Sequence, residues 1–420
     1  MLPILRTPIP GPKSRELASE LHQWESRNVT FIDSEGRFPV FWESAQGCLV
    51  TDVDENVYLD LTAAFGVAAV GHTNPRVSNA IADQAGRLIH GMGDVHPSRL
   101  KVELARKIVE HTPGDLGGVI FGANGGDAVE AALKTARLAT GKSGVLAFDG
   151  GYHGLTYGAL AVTSRADFRD PFAGQVPTFT QHLPYGSDIE AILREQAQTI
   201  GAVIVEPIQG RAGIVEPPVG WLAELSRLCR HYGVLLIADE IFTGWGRTGE
   251  WFACSRDGVV PDILCVGKAM GGGFPISACV ARPDIMAAWG VSTGEALHTS
   301  TFLGSPLGCA AALAAIQELE ERNLPERARV IGQYFKDRLG NLLARHTDTI
   351  VEVRGRGLML GLRFAQREIA LDLVYKLLQR GLIVLPAGAG DVLEFVPPLI
   401  IEKEQIDFAI SAIDSAMSGY

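Results

Sequence analysis

Two acids and a lysine end two apolar runs between residues 234 and 274. The first run, Val234-Leu235-Leu236-Ile237-Ala238, ends on Asp239 and Glu240. The second, Ile263-Leu264-Cys265-Val266, ends on Gly267-Lys268 and is followed by Gly271, Gly272 and Gly273. Both runs are short, continuous and rich in branched side chains, the pattern of strands covered on both faces. Open α/β sheets place ligand chemistry where such strands end. An acid and a lysine at neighbouring strand ends can serve pyridoxal phosphate: the amine forms an imine with its aldehyde, and the carboxylate keeps its pyridine nitrogen protonated so that the ring accepts electrons. Two phosphate-binding readings fail. Gly267-Lys268 is no P-loop, because Asp262 stands where that motif needs glycine and Ala269 replaces its Ser or Thr. Residues Gly244-Trp245-Gly246-Arg247-Thr248-Gly249 spell G-x-G-x-x-G, but two acids precede them and no helical pattern follows.

The elements that must position this pair lie around it. Gly117-Gly118-Val119-Ile120-Phe121 reads as a strand, Gly122-Ala123-Asn124-Gly125-Gly126 as a turn, and 127–140 as an alanine-rich helix. A strand, a glycine turn and a helix start make an anion site, since free amides and the helix dipole converge there. A plain tight turn has the same pattern; the acid and lysine, whose cofactor needs a phosphate cradle, favour the anion site. After a strand at 144–148, the loop Gly150-Gly151-Tyr152-His153-Gly154 offers an aromatic pair for a flat ring, although His153 alone also suits a structural hydrogen bond. A further strand, Ala202-Val203-Ile204-Val205, ends on Glu206-Pro207-Ile208-Gln209-Gly210. Helical patterns at 188–198 and 222–232 alternate with these strands, which predicts an α/β fold with a mostly parallel sheet.

The chain ends differ in pattern. Residues 1–13 are proline-rich and predict an arm on the surface or across a partner subunit, followed by a helix capped by Ser14 with Leu17, Leu21 and Trp24 on one face. Strands flank a solvated hairpin turn at 52–56, where Val57 and Ala63 exclude a calcium loop. Helical patterns at 310–321 and 326–345 and strands at 349–353, 359–362 and 393–396 complete the chain. The expected division is 1–65 as arm and part of a small domain, 66–305 as the large domain, and 306–420 as the rest of a small α+β domain built from both ends.

At 420 residues, 47% of them hydrophobic, the chain can bury the cores of two such domains. A net charge of -11 argues against non-specific nucleic-acid or anionic-membrane partners. Six scattered cysteines give no C-x-x-C pair, no metal site and no disulfide framework. With no signal-peptide pattern and no apolar run near the ~18 residues of a membrane helix, a cytoplasmic location is expected.

The ordered set from Ile237-Ala238-Asp239-Glu240-Ile241 through Gly244–Gly249 and Pro261-Asp262-Ile263 to Gly267-Lys268 and Gly273 closely resembles the class III aminotransferases, over nearly the whole chain. The resemblance implies the fold-type I architecture of pyridoxal-phosphate-dependent transferases, a homodimer with sites at the subunit interface, and amino-group transfer from an amine or amino acid to a 2-oxo acid. It implies Lys268 as the imine lysine, Asp239 as the pyridinium partner, Tyr152 stacked on the ring with His153 beside it, and Gly125 and Gly126 on the phosphate. It further implies Glu206 near the substrate and Thr301 reaching the phosphate of the neighbouring subunit.

Several positions depart from the pattern. Asn124-Gly125-Gly126 lacks the usual serine hydroxyl, so backbone amides must supply more of the phosphate binding. Phe242 stands where aminobutyrate-type members often carry Gln. Glu394 stands where many carry an arginine for the substrate α-carboxylate; a carboxylate repels that group. The segment Leu393-Glu394-Phe395-Val396-Pro397-Pro398 resembles the α-amino-ε-caprolactam racemase branch, whose second acid is matched here by Arg211. An arginine cannot exchange that proton at neutral pH, so transamination is favoured over racemisation, with Arg211 as a candidate replacement for the carboxylate clamp. A non-catalytic binding protein is the third alternative, opposed by the intact Asp239 and Lys268.

Overall fold

The computed structural model describes residues 1–418. Three strands form near the start of the chain: β1 (Trp42–Gln46), β2 (Leu49–Asp52) and β3 (Val57–Asp60). The middle supplies β4 (Gly118–Gly122), β5 (Gly144–Phe148), β6 (Thr180–Leu183), β7 (Ile200–Val205), β8 (Leu235–Asp239), β9 (Ile263–Val266) and β10 (Ser277–Ala281). The last part supplies β11 (Ile350–Arg356), β12 (Met359–Phe364), β13 (Leu382–Ile383), β14 (Leu385–Ala387) and β15 (Val392–Phe395).

The central sheet has the order β4-β10-β9-β8-β7-β5-β6. Strands β5 to β9 pair in parallel, and β10 alone runs against its neighbours β4 and β9. β7 and β9 are buried along their whole length, as their continuous apolar runs require. Helix Gly125–Thr140 covers one face through Ala128, Ala131, Ala132 and Ala136, whose small side chains let helix and sheet approach closely. Because β7, β8 and β9 are parallel, their last residues come out on one edge. That edge holds Glu206, Asp239 and Lys268.

The two chain ends meet. β13 pairs in parallel with β3, and Ile4 bridges antiparallel to Val57, so the proline-rich arm lies along its own chain. A separate antiparallel sheet has the order β11-β12-β15-β14. Helix Pro306–Glu321 packs on helices 75–85 and 99–111 and on the turn that carries Lys268.

Two local expectations change. Ser14 does not cap the first helix: the cap position is Gly11, and Asp54 accepts from the amides of Lys13 (2.8 Å) and Ser14 (2.9 Å). Trp24 is exposed rather than part of a buried face. Asp52 and Asp54 of the 52–56 turn are accordingly buried acceptors, and only Glu55 is exposed. Asp52 accepts from the amides of Asp54 and Asn56 and from the Tyr58 hydroxyl at 2.7 Å. Among the described residues no helix is long and apolar enough to cross a membrane.

Candidate active site

The edge formed by β7, β8 and β9 opens into a cavity of about 770 Å3, within the size range of cofactor pockets. Lys268, Asp239, Tyr152, His153, Glu206, Arg211, Gly125 and Gly126 all line it. The chain leaves β9 at an extended Gly267 and turns at Lys268, whose φ of 43° is left-handed. A non-glycine residue in that region carries about 1–2 kcal/mol of strain, which the buried turn Lys268–Gly271 holds in place.

Asp239 ends β8 with both oxygens engaged. Oδ2 lies 2.7 Å from His153 Nδ1, and Oδ1 accepts from the Ile241 amide at 3.1 Å. Burial works to deprotonate His153, but the hydrogen bond and charge of Asp239, with the charge of Glu206, outweigh it and raise its pKa. Glu206 accepts from the amides of Tyr152 (2.9 Å) and Gly210 (3.1 Å). Burial nevertheless pushes its pKa up to about 7, against the pull of His153.

At the start of helix Gly125–Thr140 the Asn124 side chain accepts from the Asp127 amide at 3.2 Å, and Asp127 accepts from the amides of Asn124 at 3.3 Å and Ala123 at 2.9 Å. This capping box satisfies the flanking donors. Gly125 and Gly126, the first two helical residues, have no intrahelical acceptor for their amides. A Cβ on Gly125 would meet Ile241 at 3.1 Å, and one on Gly154 would meet Gly126 at the same distance, so glycine keeps the approach open. An anion at these amides, an acid at the end of β8 and a lysine after β9 together fit pyridoxal phosphate.

Lys268 Nζ lies 3.6 Å from the centre of the Phe242 ring. Burial lowers its pKa to about 8, opposed by the charges of Glu394, Glu206 and Asp239 and assisted by Arg211. The Arg211 guanidinium lies 5.4 Å from the centre of the Tyr152 ring, and its Nε is buried without a hydrogen-bond partner.

The class-III aminotransferase family model matches residues 31–417. The chain belongs to the class-III aminotransferases. It is 40% identical over 404 residues to the acetylornithine aminotransferase of Methanopyrus kandleri, spanning 96% of this chain and 98% of that one. It is 42% identical to the acetylornithine aminotransferase of Methanosarcina mazei over 91% of this chain and 92% of that one. The solved ornithine aminotransferase of Toxoplasma gondii matches the fold with a TM-score of 0.88 at 31% identity, over 98% of this chain and 95% of that one. The protein is thus a pyridoxal-phosphate enzyme of fold type I that moves an amino group between an amino acid and a 2-oxo acid. Neither the racemase nor the non-catalytic alternative is favoured by these relatives.

Two expected site residues of the aminotransferase stand apart from the cavity. Thr301 is exposed, in a segment where Thr299 donates to Asp94 at 2.8 Å and Phe302 meets His90. Glu394, on β15, is buried and does not line the cavity, though its charge acts on Lys268. Burial raises its pKa to about 7 despite the opposing charges of Lys268, Arg211 and Arg247. Cavity-lining Ile241, Leu155, Thr156, Phe274 and Ile276 carried no signal in the sequence beyond their loops. The capping role of Asn124 was missed in the sequence, although its spacing from Asp127 signals it.

Proposed function

We propose that Lys268 carries the cofactor and moves the substrate's Cα proton, and that Asp239 partners the cofactor's ring nitrogen. The observation that supports this reading is that both line one cavity together with the free amides of Gly125 and Gly126. Bound pyridoxal phosphate supplies an electron sink for bond-breaking at Cα. The chain's own groups do the rest. Gly125 and Gly126 hold the phosphate through their amides. His153 braces Asp239 through a 2.7 Å contact, and Tyr152 presents its ring as a stacking surface. A lysine titrating at about 8 is partly neutral at physiological pH, as a proton acceptor must be.

Arg211 takes the carboxylate shared by amino acid and 2-oxo acid substrates, because it lines the cavity without an ion-pair partner among the described residues. Glu206 stands near the substrate, and Glu394 repels a carboxylate from its own side. We further propose a homodimer in which Thr301, exposed on one subunit, reaches the phosphate of the other. The proposed domains are 1–65, 66–305 and 306–420. A cytoplasmic location suits six cysteines that are all free and buried.

The test uses one enantiomer of an amino donor, starting with ornithine and its N-acetyl derivative, with and without a 2-oxo acid. Turnover that requires the oxo acid and conserves amino groups is expected. Inversion of the donor's configuration with no oxo acid present would overturn the assignment in favour of racemisation.

A further inference from the structure

The aromatic ring of Phe242 sits where a residue of quite different chemistry would leave the lysine amine unsupported. Its ring is clamped from two sides by backbone. A Cβ on Gly66 would come within 2.6 Å of the ring, and one on Gly210 within 2.3 Å. The apolar cluster of Ile208, Ile214, Met359 and Val396 packs against it. Gly66 is itself fixed by a turn in which Ala63, Ala64, Phe65 and Gly66 all have positive φ. That turn is tied down by Asp60, which accepts from the Thr62 amide at 2.7 Å and the Ala64 amide at 3.1 Å. The ring therefore cannot swing away from the lysine.

The amine has few other contacts. Glu394 on β15, Glu206 after β7 and Asp239 at the end of β8 face it as charges, with Arg211 opposing them. Among the described residues none of those carboxylates reaches ion-pair distance of Nζ, so the nearest polar partner is the negative face of the Phe242 ring, 3.6 Å away. A cation over an aromatic face is held by the ring quadrupole, and desolvation strengthens the attraction.

We propose that Phe242 is a positioning residue that seats the charged amine of Lys268 whenever that amine is not joined to the cofactor. The seat keeps the freed amine in the cavity, against the pull of the Glu394 charge. It rests on Lys268 being the cofactor-carrying residue. Because the ring favours the charged form, it holds the amine's pKa above the value that burial alone would set.

The test follows capture of pyridoxal phosphate by cofactor-free protein, read as growth of visible absorbance at a series of pH values. Only the neutral amine attacks, so the midpoint of the rate profile reports the amine's pKa. In Phe242→Leu the midpoint should fall by about half a unit to one unit, with kcat reduced more than KM changes. Phe242→Tyr, which keeps the ring, should restore the midpoint. Pentafluorophenylalanine at 242 keeps the shape while reversing the quadrupole, so it should shift the midpoint downward even if the leucine variant folds poorly. An unchanged or raised midpoint with the fluorinated ring overturns the seat. If the wild-type protein gains no absorbance at all, it is instead the assignment of Lys268 that fails.

Discussion

The two sides of the cavity are built differently. On the side of Asp239, His153, Glu206 and Asn124, polar side chains are held by hydrogen bonds of about 2.7–3.2 Å. On the side of Lys268 and Arg211, with Glu394 behind the cavity, charged groups face one another without hydrogen bonds, and Lys268 rests on an aromatic ring. Buried polar groups are ordinarily satisfied, so the second side stands out. The held side suits a cofactor that stays in place through every cycle. On the proposed roles, the unheld side suits groups that change partners: a lysine amine that joins and leaves the cofactor, and a substrate carboxylate that comes and goes.

The largest effect should come from the unheld side. Lys268→Ala should abolish the visible absorbance of bound cofactor and lower turnover by about 10^3-fold or more; full activity would mean that the lysine is misassigned. Asp239→Asn acts on the held side, and should lower kcat roughly 10^2- to 10^3-fold by weakening charge stabilisation of the ring. Phosphate affinity should change little, because Gly125 and Gly126 are untouched, and parallel titrations of pyridoxal phosphate and inorganic phosphate would show it. Arg211→Leu should raise KM for 2-oxo acids roughly tenfold to a hundredfold, the value of a charged hydrogen-bonded pair, with kcat less affected. An unchanged KM would move the carboxylate elsewhere and blur the contrast between the two sides.

Most of the held side was legible in sequence, and so was Lys268 on the other. Asp239 and Lys268 could be located because each ends a continuous apolar run, and parallel strands bring such ends to one edge. Gly125 and Gly126 follow from the strand, turn and helix pattern once the acid and lysine call for a phosphate cradle. The unheld side depends on contacts between distant segments. Glu394 is identifiable as an unusual acid, but that it acts from behind the cavity depends on how β15 pairs with β12 and β14. Arg247 reads as part of a glycine loop. It is in fact fully buried, donating to the carbonyls of Leu358, at 3.0 Å, and of Pro397. β10, whose Ser-Ala-Cys-Val-Ala run is too small and mixed to announce itself, was not foreseen as the antiparallel strand of the central sheet. Thr301 belongs to an exposed segment, and its proposed contact is with a partner subunit.

The smallest predicted effect separates the two sides by stability. The folded-state pKa of Glu394 is raised to about 7, from the 4.5 of an ordinary glutamate, mainly by burial; the attraction of Lys268 is already included in that net shift. Between these two values the folded cofactor-free protein binds more protons than the unfolded chain, so this group's contribution to stability falls as pH rises through that window. Glu394→Gln removes the charge but not the volume. It should therefore gain on the wild type by roughly 1–3 kcal/mol between pH 4.5 and 7, and hold a constant advantage just above. Glu206, also raised to about 7, keeps its own slope in both proteins, so the variant should flatten the profile only in part. Urea unfolding of the two cofactor-free proteins at pH 5 and pH 7.5 measures the difference. A variant that loses the same stability at both values would show Glu394 to be a favourably paired charge, and the unheld side would be as well satisfied as the other.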